Sequence, residues 1–459
     1  VGWSSRAVPS LPTSATVMSS FLRLVVLCAA LSAASAAYCN GSPDEGERTN
    51  DFPIFDQELR FVRSVKNAKL YHAGPENATF PVVHLWGTPY EVGFAQGTLR
   101  KAEIVDFIAK TWTYLSEELA SALDGDLIPP AAKALIVQKG MDGALDWTAK
   151  VTKDFTPQAY FDEVQGLADA TGISYDMLYR VNMFPELTKA SCSFFGAWDK
   201  AVGGTGISYQ LRALDFDTDG PFKDFPQVTI YHPSEGHAYA NVGWPANVGL
   251  LSGFSDQQLA VSEIGVSFPD DSFGQGTDNT PPEKVAGEPW MFILRDVVQY
   301  TDSLETALAH VESANRTCNL IIGLGDGQSG LVNGVQFSGY VAVPYDDQTL
   351  LPVNETWHPQ IEDVVYNGMD WLCPAFNQKL AEQLAQHHGA ITCETTIQHI
   401  LPTVQTGNLH AAVYDLTNSI MHLSFCRTAK APQTEPEFAY ERQFTRLHMG
   451  DIFAVTLDQ

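Results

Sequence analysis

The stretch SCSFFGAWDKAVGGTGISYQLRALDFD, Ser191–Asp217, decides how the rest of the chain is read. It contains two apolar, strand-like runs separated by a glycine-rich turn. The first run opens on Cys192, whose nearest cysteines in the sequence are Cys39 and Cys318. The second run carries Arg212 and Asp215. Cys192 also marks a change of character. Residues 86–185 read as mostly helical, and short strands separated by turns dominate from Cys192 onward. A cysteine at such a boundary is either half of a disulfide or a nucleophile. As a nucleophile it needs a base that lowers its effective pKa. No papain-like Cys-Gly-x-Cys-Trp run surrounds it, and no histidine can be assigned to it. If the chain is cut before Cys192, the new α-amino group, with a reference pKa of about 8, can serve as that base.

The helical region starts at Thr88-Pro89, a helix-initiating pair. Val105, Ile108, Trp112 and Leu115 then share one face. A further helix is expected with Thr156 as cap, Pro157 in the first turn and Gly172 as its stop. Later strands are read in QVTIYHP, HAYANVGW, LAVSEIGVSF, NLIIGLGD and GVQFSGYVAV, and a hairpin turns at 415–418. Two helices, around PWMFILRDVVQY and SLETALAHVESA, interrupt the strands. This order predicts an α+β fold: a four-layer αββα body preceded by a mostly helical N-terminal segment.

The chain has 459 residues, 45% of them apolar, enough for a large core. Asp and Glu number 54 against 27 Lys and Arg, a formal charge of -27. That balance excludes nucleic acid as a partner and allows at most transient contact with membrane lipid. Met18 opens MSSFLRLVVLCAALSAASAAYC, with a basic Arg23, an apolar run Leu22–Leu31 and small residues up to Ala37, the pattern of a signal peptide. The apolar run is short of the ~20 residues a membrane span needs. The expected segments are therefore 1–37, leader and signal; 38–191, helical N-terminal segment; and 192–459, catalytic body. Sequons at Asn40, Asn77, Asn315 and Asn354 fit export. Of seven cysteines, Cys28 leaves with the signal, and Cys373 and Cys393, which bracket one helix, are the easiest pair to join. The run GDGQSG, 325–330, leads into a strand and reads as a turn rather than a dinucleotide site. QHH at 386–388 reads as a solvated helix end, so no metal and no cofactor is expected.

The Cys-Ser strand followed by an Arg-x-x-Asp strand resembles the N-terminal nucleophile hydrolases of the acid ceramidase, choloylglycine hydrolase and isopenicillin-N acyltransferase (peptidase C45-like) group. GTPYEVGFAQG (87–97), GLLSGFSDQQLAVSEIG (249–265), MDWLCPAFN (369–377) and VQTGNLHAAVYD (404–415) extend the likeness. It covers the chain from about residue 55 to its end and is closest to secreted acid ceramidase-like proteins of slime moulds. The resemblance implies self-cleavage between Ser191 and Cys192, a thioester acyl-enzyme on Cys192, Asp215 orienting the freed amine and Arg212 positioning its neighbours. It implies a small-molecule N-acyl, lipid-like amide as substrate, a secreted or lysosomal location, and two fragments that stay associated after cleavage. Relatives often supply an oxyanion donor from a Thr-Asn-His turn. Here ETWHP puts Trp357 at that place, which leaves Asn241, Asn354, Asn367 and backbone amides as candidate donors, with Glu263 as further polar support. The competing expectations are a non-catalytic extracellular glycoprotein, in which Cys192 is disulfide-bonded, and a phospholipase B-like esterase.

Overall fold

The computed structural model describes residues 41–117, 130–188, 190–266, 270–274, 286–369, 374–428 and 435–457. The chain is α+β, and among these residues its strands form two sheets. The six-stranded sheet has the order β13-β4-β5-β14-β15-β16, with all neighbours antiparallel. Its strands are β4 (Ser191–Ala197), β5 (Tyr209–Asp215), β13 (Val364–Asn367), β14 (His410–Asp415), β15 (Ile420–Phe425) and β16 (Thr445–His448). Every residue of β5 is buried, Arg212 included, and so is β4 after Ser191. Both strands are therefore covered on each face, and the polar residues that β5 carries, Gln210, Arg212 and Asp215, are buried with hydrogen-bond partners. The connection between them needs positive φ at Gly203, Gly204 and Gly206, which glycine adopts without strain.

The ten-stranded sheet runs β1-β2-β3-β6-β7-β8-β9-β10-β11-β12. It comprises β1 (Arg60–Val65), β2 (Ala68–Ala73), β3 (Phe80–Gly87), β6 (Gln227–Pro233), β7 (Tyr239–Gly243), β8 (Ser252–Ser255), β9 (Leu259–Gly265), β10 (Asn319–Asp326), β11 (Leu331–Ser338) and β12 (Ala342–Tyr345). Among the described residues, the only parallel pair of this sheet joins β3 to β6, from Val82↔Val228 to Gly87↔Pro233. The residues before Cys192 are thus not purely a helical layer: three of their strands are built into the same sheet as the strands that follow it. The two sheets pack face to face. A Cβ on Gly323 of β10 would lie 2.6 Å from the Phe194 ring of β4, so only glycine fits there.

Helices α1 (Pro89–Leu99), α2 (Lys101–Glu117), α3 (Pro130–Thr152), α4 (Gln158–Thr171) and α5 (Tyr175–Leu187) lie between β3 and β4 in sequence. Thr88 caps α1 in a full capping box with Glu91. Gly172 ends α4 with φ 80°. Two expectations shift. Thr156 does not cap α4: its hydroxyl donates to the Thr152 carbonyl, and Pro157 is the residue before the helix. On α2, Val105 is exposed and the buried stripe is Ile104, Phe107, Ile108, Thr111 and Leu115. Helix α4 packs on α1 at backbone distance, since a Cβ on Gly93 would sit 2.0 Å from the Glu163 carbonyl oxygen.

Close packing brings α4 onto α6 (Trp290–Tyr300), so that residues from both sides of Cys192 share one buried network. The Arg295 guanidinium lies 2.7 Å from Glu163 and stacks over the Tyr231 ring. The Tyr160 hydroxyl donates to Asp296. Burial, then the Asp296 charge and a shared hydrogen bond, lift the Glu288 carboxyl to about 8. The folded chain therefore keeps this proton up to about pH 8, whereas an unfolded Glu releases it near 4.3. The stabilisation is complete below the unfolded pKa and is lost as pH rises toward 8, at up to about 1.4 kcal/mol per pH unit. Thermal unfolding at pH 5 and pH 8 should show the higher midpoint at pH 5. Glu288→Gln should flatten that dependence; a slope retained in full by the variant would rule this pair out as its source.

Candidate active site

The register of β4 against β5 assembles the site. Cys192 pairs with Leu214 and Phe194 with Arg212, so these four side chains leave the sheet on one face. That face meets β9 of the other sheet, where Glu263 lies 3.3 Å from the Arg212 guanidinium. Arg212 is fully buried and also donates to the carbonyls of Ala213 (2.8 Å) and Leu251 (3.4 Å). The Cys192 thiol is fully buried as well. Burial pushes it up to about 12; the Arg212 charge beside it pulls down, and the carboxylates of Glu263 and Asp215 push up.

Asp215 pairs with Ser191 in the register, at the point where β4 begins. Its carboxylate is clamped by Thr406 Oγ1 at 2.6 Å and by the backbone N–H groups of Gly407 and Asn408 at 2.9 Å. Burial raises its pKa, and these three donors oppose the rise. Thr406 Oγ1 also lies 2.8 Å from Ser193 Oγ. The Cys192 N–H donates to the Met369 carbonyl at 2.8 Å, and Met369 N–H donates to Ser193 Oγ. Met369 reaches this place with φ 50°, just after β13 ends. Ser191, Cys192, Arg212, Asp215 and Glu263 are thus brought to one locus. His410 stands at the Leu214 level on β14, but its Nε2 is bonded to Ser252 Oγ, and burial, then Arg212, drives its pKa well down.

A pocket, partly open to solvent, adjoins this locus. Pro185, Thr188 and Ala190, from the run-up to Cys192, wall one part of it; Leu214, Glu263, Trp244 and Trp290 wall others. Its surface is mostly apolar, with a few polar side chains among the lining residues, as in small-molecule sites.

The candidate oxyanion amides do not converge on it. Asn241 Nδ2 donates to the Gly249 carbonyl at 2.8 Å, and the Asn367 amide is held by the Tyr345 hydroxyl and the Leu351 carbonyl. Asn354 Oδ1 closes its own turn by accepting from Thr356 and Trp357 N–H. None of the three lines the pocket, whereas Asn247 does. The segments 369–377 and 404–415 carry part of the resemblance, but the roles of Asn247, Met369 and the Thr406–Asn408 clamp escape a reading of the sequence, because the fold brings them in from distant positions. Asn77 and Asn315 are exposed, Asn354 is half-buried, and Asn40 lies outside the described residues. Cys393 is buried; Cys373 and Cys39 lie outside the described residues. Among the described residues, no group of three or more His, Cys, Asp or Glu is arranged to hold a metal ion.

No family model matches the chain. It is 12% identical to a Caenorhabditis elegans ortholog of N-acylethanolamine-hydrolyzing acid amidase, over 49% of this chain and 93% of that one, with a TM-score of 0.36. It is 11% identical to penicillin V acylase from Agrobacterium tumefaciens, over 53% of this chain and 84% of that one, with a TM-score of 0.34. Two Dictyostelium discoideum proteins are far nearer in sequence. Protein dcd1A is 34% identical over 90% of this chain and 95% of its own length. Protein dcd1B is 33% identical over 88% of this chain and 81% of its own length. The chain belongs to the family of these dcd1 proteins.

Proposed function

We propose that the chain is a self-processing cysteine amide hydrolase of the N-terminal nucleophile type, with a four-layer αββα body. The reading includes export to the cell exterior or a lysosome-like compartment, glycans on its sequons, and an N-acyl, lipid-like amide as substrate. The observation that carries it is the meeting of Cys192, at the start of β4, with Arg212 and Asp215, in the facing C-terminal half of β5, beside an apolar pocket walled by the residues that precede Cys192.

The chemistry balances without a cofactor. In the precursor, Cys192 Sγ adds to the Ser191 carbonyl carbon and the bond from that carbon to the Cys192 nitrogen breaks. The thiol proton goes to the departing nitrogen. Water then hydrolyses the thioester, leaving a Ser191 carboxylate, a restored thiol and a new α-amine. In turnover, that amine takes the thiol proton and sulfur attacks the substrate carbonyl. The amine returns the proton to the leaving amine, and water releases the acid. Arg212 offsets the charge of the thiolate, and Asp215, fixed by its three donors, orients the amine. The high thiol pKa of the uncut chain fits a precursor that lacks its base.

The test is N-terminal sequencing of the purified, deglycosylated protein after incubation at neutral and acidic pH. Two chains are expected, one beginning at Cys192 and one near Ala37. A single uncut chain at every pH would overturn the reading.

A further inference from the structure

Two residues that line the apolar pocket carry polar groups whose hydrogen-bonding capacity the protein leaves unused. Thr111 of α2 is fully buried and lines the pocket, yet its Oγ1 has no partner. Threonines on neighbouring helices behave differently. Thr98, Thr148, Thr152 and Thr171 each return the hydroxyl to the carbonyl four residues back. Asn247 also lines the pocket, and its Nδ2 is buried without a partner. Another wall residue, Asn182, shows the contrast: its Oδ1 accepts from Val248 N–H and its Nδ2 donates to the Leu178 and Ala246 carbonyls. Asn182 is spent on the fold, whereas Thr111 and Asn247 are not.

We propose that the pocket selects an acyl chain bearing an oxygen substituent, a hydroxyl or keto group along its length, through Thr111 and Asn247. The inference rests on the amide-hydrolase reading for the identity of the occupant. Water can serve both groups while the pocket is empty. A plain hydrocarbon chain displaces that water and strands a donor at each point, whereas an oxygenated chain engages them. A site built to bond an oxygen discriminates against the analogue that lacks it, because its own polar groups are left unpaired. A preference of about tenfold or more follows from one such bond.

The experiment measures binding of neutral primary amides to the intact full-length chain: hexadecanamide against hexadecanamides hydroxylated once, at successive carbons. At least one positional isomer should bind about tenfold more tightly than hexadecanamide. Thr111→Val, nearly isosteric, should fold normally, lose most of that preference and bind the plain amide better; Asn247→Leu should weaken the preference as well. Equal binding of hexadecanamide and every isomer, or a preference that survives Thr111→Val, would overturn the proposal. An Asn247→Leu chain that hydrolyses plain and hydroxylated N-acyl substrates equally poorly would place that amide at the scissile carbonyl and overturn its part here. Binding needs no thiol, so a chain that never cuts itself yet prefers the hydroxylated amide counts against the enzyme and for the pocket.

Discussion

Cys192→Ala is expected to give one uncut chain with no amide hydrolysis, a loss of at least about ten-thousandfold. Under the proposed chemistry both reactions fail together, because one sulfur would perform both. Stability should change little in comparison. The side chain is small and the cavity left by one sulfur is modest, so folding and the pocket survive. The measurement pairs a denaturing gel with turnover of an N-acyl amide by the same preparation. An alanine variant that is cut and active like the parent would remove Cys192 from the chemistry altogether.

Arg212→Met has the second largest expected effect, and it strikes stability first. Arg212 is fully buried and Glu263 is 2% exposed. Removing the cation leaves a buried carboxylate without its countercharge, at a cost of about 3–5 kcal/mol. The denaturant midpoint should fall accordingly. The double variant Arg212→Met with Glu263→Leu separates structure from chemistry. Replacing the whole pair by apolar side chains should recover most of the lost stability. It should not recover cleavage at Cys192, because the thiolate would then form with no positive charge beside it. If the double variant regains both, Arg212 is a packing residue and the proposed chemistry loses its cation.

The strands around Cys192 could be read from the sequence because two short, mostly apolar runs separated by a glycine-rich turn admit few other structures. The α+β class followed from their order. Helix α2 was harder. Ile104, Val105, Phe107 and Ile108 offer two overlapping stripes, and only the tertiary context turns Val105 outward and Thr111 inward. Cys192, Arg212 and Asp215 shared a recognisable spacing. Their supporting groups did not: Met369 and Thr406–Asn408 lie more than 150 residues further on and act largely through backbone atoms. Asn247 sits in a loop whose path depends on α5, through the two ends of Asn182.

The parallel ladder between β3 and β6 joins strands that lie on opposite sides of the Ser191–Cys192 bond. In an uncut chain its formation is a matter of loop closure within one polymer, a cost that grows only slowly with length. If that bond is cut as proposed, the same ladder becomes a meeting of two molecules. Reassembly then carries the loss of translational and rotational freedom, about 4–15 kcal/mol at standard concentration. The matured protein would unfold at a midpoint that depends on its dilution, while the precursor would not. Its architecture would be a record of a connection it no longer has: easily kept, and hard to rebuild once lost.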